Sequence, residues 1–169
     1  VMASFGNPLA VDLLRPELER WGYWSNLSAA QSLVKRLDQA YWKESFYNSW
    51  LHSLTLLNRG FEDDEFVPSA LRTRSWQLKQ LQTQLASWAE LRRDTMLYVA
   101  QTYSPPGCEY PTAYVEPYPE FYANLRQLMQ RTAKHQREFK NQDLGNGIRG
   151  FSAAMDRQLN FLAEAAKHL

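Results

Sequence analysis

No stretch of this chain alternates apolar and polar residues with period two between hairpin signals, which argues against a sheet. What recurs instead is spacing by three and four. Phe46, Trp50, Leu54 and Leu57 step by four, four and three, so a helix would carry them as one stripe, which Tyr47, Leu51 and Leu56 widen. Leu78, Leu81, Leu85, Trp88, Thr95 or Met96, and Val99 form a second stripe. They predict a long helix from about Ser75 to Gln101, the longest in the chain.

Punctuation residues divide the rest. Pro8 opens a first helix and Gly22 ends it, with Pro16 inside as a kink or a break. Asn26 or Ser28 caps a second helix, and a third begins near Trp42 or Ser45 and closes at Asn58-Arg59-Gly60. Ser69 is placed to cap a short helical turn. Pro119-Glu120 opens another helix, with Phe121, Leu125, Leu128 and Met129 inward. Gly145-Asn146-Gly147 reads as a turn before a last helix from about Ile148. Five of the eight prolines lie between Pro105 and Pro119, so that stretch is loop or extended chain, with Val115 at its most strand-like point. The expected fold is all-α: an irregular bundle of about six helices with one long Pro/Tyr-rich loop, in a single domain over residues 1–169.

With 169 residues and 44% hydrophobic content, the chain can bury a core. Its 19 basic and 18 acidic residues are spread evenly, which gives no footprint for nucleic acid or an anionic membrane. No apolar run approaches the roughly 20 residues that span a bilayer. The acidic run Glu62-Asp63-Asp64-Glu65 reads as a solvated loop. Both termini look cut, so the chain is expected to be an excerpt whose first partner is the rest of its parent polypeptide.

The chemistry-bearing residues gather in one helix and one loop. In Ser87-Trp88-Ala89-Glu90-Leu91-Arg92-Arg93-Asp94-Thr95-Met96-Leu97-Tyr98, Glu90, Arg93, Asp94 and Leu97 share a face. Three readings stay open: an ion network that fixes the helix, a cation site, or a carboxylate acid/base pair. Glu116, held extended by Pro117, is aimed to join that face by pairing with Arg92 or Arg93. Tyr103, Tyr110, Tyr114, Tyr118, Phe121 and Tyr122, set among prolines, would serve as a ligand surface or as packing. Candidate catalytic residues are therefore Glu90, Asp94 and Glu116, and candidate binding residues are Arg92, Arg93, Tyr98, Tyr110, Tyr114 and Tyr118. Cys108 beside Glu109 is a poor nucleophile. His52, His135 and His168 stand apart, His52 as a satisfied, partly buried histidine, so no metal and no cofactor is expected.

Trp76-Gln77-Leu78-Lys79-Gln80-Leu81, followed by Ser87 to Tyr98, resembles the signature of the prokaryotic family catalogued as domain of unknown function 3160. Tyr114-Val115-Glu116-Pro117 with Tyr118 to Tyr122 resembles its second motif, and Tyr47-Asn48-Ser49-Trp50-Leu51 a third. The family's usual pattern has histidine where this chain has Arg93, which weighs against a metal ligand there. The resemblance implies a longer, extracytoplasmic parent, secreted or lipid-anchored, with a further His-Thr-Asp-like segment toward its C-terminus. The expected function is a helical scaffold or ligand-binding module, its ligand a small molecule, sugar or peptide. The alternative is one part of a hydrolase active site built on paired carboxylates.

Overall fold

The computed structural model describes residues 1–62, 64–94, 115–135 and 142–168, the side chains of 92–94 and 142–144 excepted. The described residues form seven α-helices, two short 3₁₀ turns and no strand. The helices are α1 (Pro8–Trp21), α2 (Trp24–Lys35), α3 (Gln39–Glu44), α4 (Phe46–Thr55), α5 (Arg74–Asp94), α6 (Pro119–His135) and α7 (Gln142–Lys167). The all-α expectation is met. Among the described residues, no helix is long and apolar enough to cross a membrane.

The helix ends show how local chemistry sets the elements. Asn7 caps α1, its Oδ1 accepting from the Ala10 amide at 2.9 Å, and Pro8 takes the first helical position, where an N–H would be idle. Gly22 closes α1 with φ of 68°, a left-handed conformation that a side chain disfavours. Pro16 lies exposed inside α1 without splitting it. The second helix starts at Trp24, ahead of the expected Asn26 or Ser28, with its first turn closed on the Tyr23 carbonyl. The segment expected near Trp42 or Ser45 resolves into two helices. Asp38 caps α3 through the Tyr41 amide (2.9 Å) and Ser45 caps α4 through the Asn48 amide (3.0 Å). The turn expected at Ser69 is a 3₁₀ turn, Ser69–Arg72.

One core gathers Met2, Leu9, Leu54, Leu57, Phe61, Leu71, Trp76, Leu81 and Tyr118. A second joins Leu128 and Met129 of α6 to Leu159 of α7, and partly buried Trp50 packs against both. Helices α6 and α7 run antiparallel. Arg126 reaches Asp156 at 2.9 Å and Asn160 at 2.7 Å, and Gln130 also donates to Asp156, at 2.7 Å. The Arg126 and Gln130 donors hold the Asp156 carboxyl below its ordinary range.

Two expectations need correction. Leu78 and Leu85 are exposed at 36% and 41%, whereas Gln80 and Gln84 are buried at 3% and 0%. The inward face of α5 is rotated from its leucine stripe toward Trp76, Gln80, Leu81 and Gln84, because Gln84 finds buried partners there and Gln80 the Glu116 carboxylate. Gly145-Asn146-Gly147 is not a turn but lies inside α7, the longest described helix. Packing along α6 outweighs a helix penalty of about 1 kcal/mol per glycine.

A Cβ added at Gly150 meets nothing within 4 Å, and the residue is exposed. Gly150→Ala therefore stabilises the protein by about 1 kcal/mol, a rise of about 2–4 °C in Tm. Calorimetry reads it directly, and a fall in Tm would contradict a continuous helix at this position.

Candidate functional site

Three helices meet around a buried hydroxyl. Ser49 of α4 is 1% exposed. Its Oγ donates to the Trp42 carbonyl of α3 at 2.7 Å and accepts from the Arg131 guanidinium of α6 at 2.6 Å. Ser53, one turn on and 0% exposed, donates to the Ser49 carbonyl at 3.0 Å. Asn124 of α6 closes the network, its Nδ2 donating to Ser53 Oγ (2.7 Å) and to the Ser49 carbonyl (3.2 Å). Its Oδ1 is then left to accept, which assigns the proton of His52 to Nδ1, 3.3 Å away. Each polar group in this joint thus has a partner of the opposite kind.

Beside the joint opens a cleft of about 240 Å³ between α4 and α6. Lys43, Ser45 and Phe46 wall one side, and Leu128, Arg131 and Thr132 the other. Arg131 is planar and five-donor, and one donor is anchored on buried Ser49. The anchor fixes the fork of the guanidinium where it borders the open volume.

His52 shows the electrostatic character of the region. It stacks on Trp42, with centroids 5.2 Å apart, and its pKa is lowered chiefly by burial and further by the charges of Arg131 and Lys43, against the hydrogen bond it donates to Asn124. In the folded protein the ring therefore stays neutral below the ordinary value of 6.5. The unfolded chain takes up that proton first, so stability is lost as pH falls from 6.5 toward the depressed folded pKa and is flat above it. A ring titration by NMR will place the His52 midpoint below 6.5, and His52→Gln will flatten Tm across that window. A midpoint at or above the ordinary value refutes this.

A second polar joint ties α5 to the segment before α6. Glu116 receives Lys79 Nζ at 2.6 Å and Gln80 Nε2 at 2.7 Å, one on each oxygen, and Lys79 sits 4.1 Å over the Trp76 ring. Glu116, before Pro117, reaches α5. The described partners of Glu116 are Lys79 and Gln80; the side chains of Arg92 and Arg93, the expected partners, lie outside the described residues. Tyr118 is a core residue, 2% exposed, packed 5.1 Å from Phe61, with its hydroxyl donating to the Arg59 carbonyl at 3.4 Å. Burial raises its pKa to about 12, and nearby Glu116 adds to the shift. Glu90 lies exposed on α5. The side chains of Arg92, Arg93 and Asp94, and Tyr98, Tyr110, Tyr114 and Cys108 entirely, fall outside the described residues.

Sequence reasoning missed Ser49, Ser53, Asn124 and Arg131 as a group. A signal existed: Ser49 and Ser53 sit four apart on the apolar side of α4, where a hydroxyl needs a partner. Nothing local points to Asn124 or Arg131, which arrive from more than 70 residues away.

No curated protein and no solved structure matches the chain. The family model described as "protein of unknown function (DUF3160)" matches residues 1–169, the whole chain, which therefore belongs to that family.

Proposed function

We propose that this chain is a ligand-binding helical module whose ligand occupies the cleft between α4 and α6. The observation that carries this reading is Arg131, held through Ser49 Oγ at 2.6 Å and bordering the cleft with its remaining donors. A guanidinium fixed from behind loses little freedom on meeting a ligand, so its binding energy is not spent on ordering. The cleft volume, about 240 Å³, lies just below the usual range of about 300–1,000 Å³ for ligand pockets and suits a small molecule. Apolar Phe46 and Leu128 and polar Thr132 give it the mixed lining such pockets have. The carboxylate candidates support hydrolysis less well, since Glu116 has both oxygens engaged at 2.6 and 2.7 Å and Glu90 stands on an open helix face.

The test is to fill the cleft. Thr132→Trp adds an indole to its wall while leaving Arg131 and Ser49 in place. In a fragment screen by saturation-transfer NMR, fragments that bind the natural protein lose their signal with Thr132→Trp, while Tm stays within a few degrees. Fragments that bind both proteins alike, or a screen without hits, would falsify the reading.

A further inference from the structure

We propose that the ligand of this cleft is an organic anion, an oxyanion group carried on an apolar body; this rests on the cleft reading above. Lys43 and Arg131 bring two cations to the cleft, against one carboxylate, Glu44. Among the described residues, neither Lys43 nor Arg131 is paired with a carboxylate. The protein's other guanidinium at an α6 helix joint, Arg126, does have such a partner, Asp156 at 2.9 Å. Among the described residues Arg131 meets a neutral hydroxyl and no carboxylate, which leaves its charge to be matched by something the cleft admits.

The backbone adds to the same sign. Ser45 and Phe46 form part of the cleft wall and begin α4, whose first-turn amides carry the positive end of the helix dipole. The Ser45 hydroxyl takes up only the Asn48 amide of that turn, at 3.0 Å. That both cations act on one region is also felt at His52, where each helps to hold the ring neutral. On the Lys43 side, Phe46 is 45% exposed with its ring stacked on Trp50, and it offers a flat apolar surface; Leu128 adds apolar surface on the Arg131 side. A cation and an apolar side chain on each wall fit a ligand that carries a charged group on an apolar body. A carboxylate and a phosphate ester share that chemistry, and both accept two parallel N–H bonds from arginine.

Three probes of one shape separate the outcomes: phenyl phosphate, benzoate and neutral benzyl alcohol, titrated against ¹⁵N-labelled protein. Phenyl phosphate or benzoate is expected to bind at least about tenfold more tightly than the alcohol, with shifts at Ser45, Phe46 and Thr132, as a charged hydrogen bond warrants. The tighter of the two anions identifies the oxyanion. Lys43→Gln, on an exposed position, and Arg131→Gln each erase about tenfold of that preference. If Arg131→Gln fails to fold, Lys43→Gln alone carries the test. Equal binding of anion and alcohol at the cleft overturns the anion inference and leaves the ligand cleft standing. Shifts elsewhere, or none with any probe, overturn both.

Discussion

Gln84→Leu lowers Tm by about 6–12 °C, corresponding to about 3 kcal/mol. Leucine is nearly isosteric with glutamine, so the loss does not come from a cavity. It comes from what the amide holds. Gln84 is 0% exposed, accepts from Asn7 Nδ2 at 2.8 Å, and donates to the Leu54 carbonyl at 2.8 Å and Asn58 Oδ1 at 2.7 Å. One side chain thus joins α5, the cap of α1, and the end of α4 with its following turn. Its loss strands buried Asn7 Nδ2 and half-buried Asn58 Oδ1, at about 1–3 kcal/mol each less whatever relaxation recovers, and takes one donor from the Leu54 carbonyl, which keeps the Leu56 amide. Asn58 also bonds the Phe5 carbonyl at 2.9 Å, so the N-terminal turn loosens with it. Calorimetry measures the drop, and hydrogen exchange should show the Ala10 amide opening sooner. A variant that melts within about 2 °C of the natural protein would show that the joint is not a stabilising hub.

Leu54→Ala produces a loss of similar size by a different mechanism. Leu54 is 2% exposed in the larger core, among Leu57, Phe61 and Leu81. Truncation removes transfer free energy and leaves a cavity that packed helices fill only partly, about 3–4 kcal/mol in all. Its carbonyl still accepts from Gln84, so the polar joint survives and the deficit reports packing alone. Leu33→Ala is the matched control: at 58% exposure on α2 it should change stability by less than about 0.5 kcal/mol. Similar losses for the two substitutions would mean that α4 does not sit at the centre of the core.

The sequence signals for the candidate site were uneven. The approach of Glu116 to α5 was legible; its partners were not. Lys79 and Gln80 look like ordinary surface residues of a helix until the fold brings Glu116 within 2.6 and 2.7 Å of them. The tyrosine expectation divides by position. Tyr118, offered as a binding residue, packs against Phe61 with its hydroxyl on a backbone carbonyl, because an aromatic beside Pro117 and Pro119 is carried inward as α6 begins. For the cleft itself the local text held only the serine pair of α4 and the motif Tyr47-Asn48-Ser49-Trp50-Leu51 around it.

Apolar spacing by three and four, capping residues such as Asn7, Asp38 and Ser45, and the terminating Gly22 determine that this chain is helical and where several helices begin or end. Those are short-range choices, made between residues within a turn of each other. Which face of α5 turns inward, whether Gly145 to Gly147 bends or continues, and how Arg131 comes to Ser49 were decided only by tertiary structure. Asn7 and Gln84 are 77 residues apart, and Ser49 and Arg131 are 82 apart. A buried amide or guanidinium is stable only where such a distant partner arrives, and helical periodicity carries no information about that arrival.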